Sequence, residues 1–275
     1  MFLLDEASGA PLAIAQPSHS WMAWQIARRW GNRRFTRAEP IAEVQAAVLL
    51  HDAGWDRFDA RPELAPGGRP RTFDSMDTAT HLAIWRESTR RAIQVSRYAG
   101  LLVAAHHRML AGRKLDDLAG RDDREGVELT RELDREMAAI VASLEAGLAG
   151  DPRYQHVLEG PGRRANALIL AAADRISVWL CAGLTFPIEL PAAGRQGEEL
   201  TVTVRRLGPG RLCLDPWPME GTRVTVHCEG VRLATTRFTN PEELAGAFET
   251  APTERLSFEL LRSSVSGPSS GRSRP

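Results

Sequence analysis

Four histidines and two aspartates fall on the apolar stripes of five separate helical segments, and this limits the interior such a chain can build. Apolar residues recurring every three to four positions predict helices near 18–31, 40–55, 77–97, 98–111, 122–148 and 161–184. His19 opens the first, beside Trp21 and Met22, with Ser18 as the expected N-cap. In the second, Ile41, Val44 and Val48 lead into His51, Asp52 and Trp55. His81 shares a face with Ile84, Trp85, Ser88 and Ala92, and His106 follows Leu102 on the next segment. Asp174 shares a stripe with Leu170, Ala171, Val178 and Cys181. An isolated inward histidine is usually a satisfied core residue, but a carboxylate buried without a partner is costly. Arg175 follows Asp174 but projects about 100° round the helix from it. A divalent cation satisfies all six groups together, and two cations suit six protein ligands, with a carboxylate and a water or hydroxide bridging them.

Beyond Pro187 the periodicity changes to short β-branched runs at 200–206, 211–215, 223–227 and 231–235, with Glu229-Gly230 as a hairpin turn. A helix at 241–249 and a strand at 254–261 complete the segment. The expected organisation is a helical domain over 1–187, an α+β appendage over 188–262 and a Ser/Gly/Pro/Arg-rich disordered tail over 263–275. The fold class predicted is therefore mainly α, a helical bundle with a small C-terminal α+β appendage. Residues 60–76, with three prolines and two adjacent glycines, read as a long loop covering the metal cleft.

Composition excludes several function classes. Thirty-five basic residues balance 35 acidic ones, so no global field attracts nucleic acid or an anionic membrane. Three cysteines without CxxC spacing argue against a zinc knuckle or a disulfide framework, and no GxSxG elbow is present. An acidic start and the absence of long apolar runs predict a cytoplasmic protein with no membrane partner.

The order His19, His51-Asp52, His81, His106, Asp174 resembles the six-ligand pattern of the HD-domain superfamily, all-α metalloproteins that are mostly phosphohydrolases. The strings His51-Asp52-Ala53-Gly54-Trp55, His81-Leu82-Ala83-Ile84-Trp85 and Asp215-Pro216-Trp217-Pro218 are similar to an uncharacterised bacterial HD-like family, the domain of unknown function numbered 3891, over roughly residues 10–262. The resemblance implies an HD-like bundle in which His19, His51, His81, His106 and Asp174 are terminal ligands and Asp52 bridges. It implies two divalent ions, iron or manganese first, then zinc, nickel or magnesium. Asp52 and His107 are the catalytic candidates. The Gly-Tyr-Pro signature of cyclic-di-GMP phosphodiesterases is absent after His107, where the chain reads Arg108-Met109-Leu110.

Two divalent ions, two aspartates and one bridging hydroxide leave a centre of about +1. With Arg57, Arg86, Arg108 and Arg175 nearby in sequence and Trp55 to stack on a ring, this favours a small anionic substrate, a phosphorylated metabolite or a nucleotide. The expected activity is phosphoester hydrolysis by the metal-bridged hydroxide. The alternatives are a mixed-valent di-iron oxygenase of the same ligation, exemplified by myo-inositol oxygenase, and a metal-stabilised sensor or scaffold.

Overall fold

The computed structural model describes residues 1–4 and 10–263. Apart from Ser263, the expected disordered tail lies outside the described residues. The chain order is β1 (Phe2–Leu4), β2 (Leu12–Ile14), α1 (Gln16–Ala27), α2 (Ile41–Leu50), α3 (Asp56–Ala60), α4 (Thr78–Val95), α5 (Arg97–Ala119), α6 (Arg124–Leu148), α7 (Pro152–Leu158), α8 (Gly162–Cys181), β3 (Ile188–Ala193), β4 (Glu199–Gly208), β5 (Arg211–Asp215), β6 (Arg223–Arg232), α9 (Pro241–Thr250) and β7 (Thr253–Arg262).

The expectation of a mainly α bundle with a small appendage is wrong. Helix makes up 53% and strand 21% of a sizeable α/β fold, built on a curled mixed sheet of seven strands. The strand order is β1-β2-β6-β7-β5-β4-β3, antiparallel except for the parallel β5–β7 pair. Two features hid this sheet. Strands β1 and β2 are three residues each, too short for alternation to register, yet they extend one edge by pairing Leu12 with Arg232 and Ala13 with Val231. The Glu229-Gly230 pair is also no turn, because β6 runs straight through it and pairs with β7 along its length. Gly230 is there for close approach: a Cβ would lie 2.8 Å from Leu12 Cδ2 and 3.0 Å from the Ala13 carbonyl.

One hydrophobic core continues from the helices into the sheet. It includes Leu12 and Ile14 of β2, Met22 and Ile26 of α1, Leu102 of α5, Leu170 and Ile176 of α8, and Leu190, Val204 and Leu260 of the sheet. Ser18 does not cap α1. Its hydroxyl accepts from the Glu229 amide (2.7 Å) and donates to the Glu229 carbonyl (2.8 Å), tying the histidine-bearing helix to β6. Helices α4 and α5 form a hairpin joined at Ser96, with Asp77 and Ser96 accepting from the Thr80 and Ala99 amides at their N-termini. Helix α5 runs to Ala119, eight residues past the predicted end, because Gly112 sits exposed on its surface and is tolerated there. All three cysteines are buried free thiols. Among the described residues no helix is long and apolar enough to cross a membrane.

Candidate metal centre

Three elements meet where α1, the end of α2 and α8 pack together. Val44, Ala47 and Val48 bury the inner face of α2, so one turn later His51, at the helix C-terminus, enters the same interior. On α8 the period that buries Leu170 and Cys181 also turns Asp174 and Ser177 inward. His19 and His51 are essentially inaccessible.

Their ligating atoms converge. His19 Nε2 lies 3.3 Å from His51 Nε2, and Asp174 Oδ1 lies 3.4 Å and 3.3 Å from these two nitrogens. The outer ring nitrogens dictate what the inner ones present. His51 Nδ1 faces the Val48 carbonyl at 2.7 Å, an acceptor only, so Nδ1 carries the proton and donates. Ser177 Oγ spends its one hydrogen on the Asp174 carbonyl at 2.8 Å, so it accepts from His19 Nδ1–H at 2.8 Å. Neutral imidazoles held this way aim two bare Nε2 lone pairs and a carboxylate oxygen at one point. Such an arrangement demands a positive charge, either protons or a metal ion. Atoms 3.3–3.4 Å apart surround a point roughly 1.9 Å from each, close to the ~2.0–2.2 Å of a metal–ligand bond, so His19, His51 and Asp174 would hold an ion there. The residues present thus fit a metal, and this group is the one the structure offers as a potential binding site among the described residues.

Two further predicted ligands adjoin it. Asp52 Oδ2 lies 3.5 Å from His19 Nε2 and 3.6 Å from His51 Nε2, with 12% of the side chain exposed. His106 Nε2 lies 3.4 Å from the second oxygen of Asp174, and both of its ring nitrogens are buried without a hydrogen bond. Asp174 is therefore the carboxylate whose two oxygens face different histidines, whereas Asp52, assigned the bridge by resemblance, reaches the others through one. His81 stands one step outside, half-buried, its ring edge-on to Trp55 (5.2 Å) and Trp85 (4.8 Å).

His107 faces elsewhere. Its Nδ1 accepts from Thr89 Oγ1 (2.8 Å), its Nε2–H donates to the His51 carbonyl (3.1 Å), and its ring stacks on Trp85. It holds the backbone of a candidate ligand, His51, in place. The arginines divide similarly. Arg86 pairs with Glu136 and Arg108 with Asp134 along the surface of α6, and Arg57 lies over the Phe58 ring. Arg175 lines a cleft of about 620 Å³ between α8 and the 65–75 segment. Trp55 is buried as a wall behind His81. The 60–76 loop is a pinned hairpin: Leu64 bridges Pro70, and the Phe238 amide donates to the Gly68 carbonyl. Its Phe73 ring touches Phe2, which in turn packs on His19. Sequence reasoning missed Ser177 and Thr89, whose signal is a hydroxyl set in an otherwise apolar stripe.

Electrostatics follow from this packing. Burial disfavours charge on His51, but the Asp52 and Asp174 carboxylates outweigh it and push its pKa up to about 9. His19 rises for the same reason. Burial raises the carboxylates, yet His51 and His19 hold Asp52 down to about 2, and His106, His19 and His51 hold Asp174 well below its usual range. For His81, burial first and Lys114 second lower the pKa to about 4. A folded-state value above 6.5 means that His51 stabilises metal-free protein fully below pH 6.5 and loses this as pH rises through about 9. A metal must displace that proton. Mn(II) binding at pH 7 should therefore release protons, and affinity should climb between pH 6.5 and 9. Calorimetry in two buffers of different ionisation enthalpy measures this; a binding enthalpy independent of buffer would refute it.

A family model described as "Protein of unknown function (DUF3891)" matches residues 2–235. No curated protein and no solved structure matches the chain.

Proposed function

The chain belongs to that family of unknown function, and we propose that it is a metal-dependent hydrolase of the HD type acting on a small anionic, phosphorylated metabolite or nucleotide. The observation that carries this reading is the convergence of His19 Nε2, His51 Nε2 and Asp174 Oδ1, with both histidine tautomers set by outer hydrogen bonds. A divalent cation held there supplies Lewis acidity toward a phosphoryl oxygen and acidifies water. The protein's own groups do the rest. His107 anchors the His51 backbone carbonyl, and the Val48 carbonyl, accepting from Nδ1–H, holds the His51 ring. Ser177 does the same for His19. Asp174 joins the pair to His106, whose unpartnered Nε2 facing Oδ2 would be free to hold a second cation. Asp52, partly open to solvent and held anionic, is the group able to take a proton from water at Oδ2.

The test is phosphate release from a panel of phosphomonoesters, phosphodiesters and nucleotides by Mn(II)-loaded protein without oxygen. Turnover should be lost in His51→Ala, which lacks a ligand, with a thermal melt to show that the variant folds. Iron-dependent oxygen consumption, with no phosphate released from any member of the panel, would replace hydrolysis by oxygenation.

A further inference from the structure

The chain carries 34 arginines and a single lysine, Lys114, eight residues after His106 and 33 after His81. The α4–α5 hairpin turns it back toward His81. In the α4–α5 hairpin Thr89 meets His107. Seven residues onward along α5 is Lys114, on the face that also buries Ala111 and Leu118, and seven residues back along α4 is Leu82, next to His81. Consistent with this placement, Lys114 is the charge acting most strongly on His81, ahead of Asp52. Lys114 is half-buried and makes no ion pair among the described residues. The His81 ring nitrogens make no hydrogen bond there either, and Trp55 and Trp85 flank the ring. Burial, with Arg121, holds the ammonium below its usual range; Asp117, Asp123 and Asp77 act on it from a distance but do not outweigh this, and an anion beside it offsets that cost.

We infer that Lys114 and His81 form the anion-binding end of the metal centre, gripping the phosphate group of the substrate beside Asp52, with Trp55 and Trp85 walling in the imidazole. This rests on the hydrolase reading above and adds the groups that select the substrate. A lysine suits the place because its compact charge on a flexible stem can follow a tetrahedral anion, whereas a guanidinium prefers a planar, bidentate partner.

Inorganic phosphate is the probe, titrated into Mn(II)-saturated full-length protein. Lys114→Met should weaken phosphate binding about tenfold or more, while Lys114→Arg, which keeps the charge, should stay within about threefold of wild type. Mn(II) affinity and melting temperature should be alike in all three, so a folding defect is visible separately. Wild-type phosphate affinity in Lys114→Met, or wild-type protein that binds Mn(II) but no phosphate, overturns the inference and leaves the metal centre standing. Failure of the wild type to bind Mn(II) refutes the metal centre, and the phosphate titration of metal-free wild type and Lys114→Met then decides Lys114 alone: equal affinity overturns it.

Discussion

Asp174→Asn should abolish metal binding, lowering Mn(II) affinity on the order of 100-fold or more, since even the outer partners of metal ligands are worth about 10–100-fold. The substitution removes the anionic charge that faces His19, His51 and His106 at 3.3–3.4 Å, and it leaves an amide whose nitrogen can only donate toward bare lone pairs. Metal analysis of protein purified without chelator measures the loss directly. Thermal melts measure it independently, because an ion at 100 times its Kd stabilises wild type by about 2.7 kcal/mol and should do nothing for the variant. Ser177→Ala should fall between, since it frees the His19 ring without removing a ligand. Equal manganese content in Asp174→Asn and wild type would show that the three converging atoms bind no metal.

The second large effect concerns the turn that carries Asp52. Gly54 packs so closely on α4 that a Cβ would lie 2.2 Å from the Ile84 carbonyl and 3.0 Å from Ser88 Oγ. Its amide donates to that hydroxyl at 2.9 Å, and the hydroxyl donates to the same carbonyl. Gly54→Ala must therefore push the turn off the helix, break this pair of hydrogen bonds and displace Asp52. The expected cost is about 2–4 kcal/mol, a fall in Tm of roughly 5–12 °C, accompanied by weaker Mn(II) binding. Gly112→Ala is the opposing control. It lies inside α5 with nothing near its missing Cβ, so alanine should stabilise by about 0.5–1 kcal/mol. A Gly54→Ala protein melting with the wild type would mean that the turn has room the structure denies it.

Much of the candidate site was legible in the sequence, because which way a helical side chain faces is a local matter. Val44, Val48 and His51 share one stripe by period alone, as do Leu170, Asp174 and Cys181, and burial of all six follows. That five of the predicted ligands meet is the joint consequence of those stripes, each buried against the others. Local period could not say how far each side chain reaches. His81 faces the same way yet stays outside the cluster, and Arg86 and Arg108 spend their charge on Glu136 and Asp134, carboxylates about 50 and 26 residues further along the chain. Nor could it assign the bridge, since the roles of Asp52 and Asp174 depend on which oxygen meets which ring.

The sheet shows the same division. Alternation located strands after residue 187, but strand partners are long-range, and the three-residue β1 and β2 carry no pattern of their own. They are strands because β6 offers a free edge and Gly230 lets Leu12 and Ala13 come close. The sequence by itself determined which faces are apolar and which titratable groups those faces carry inward, because both depend on backbone geometry within a few residues. Tertiary structure alone decided the seven-stranded sheet and the pairing of the arginines, because each joins groups that meet only once distant segments have packed.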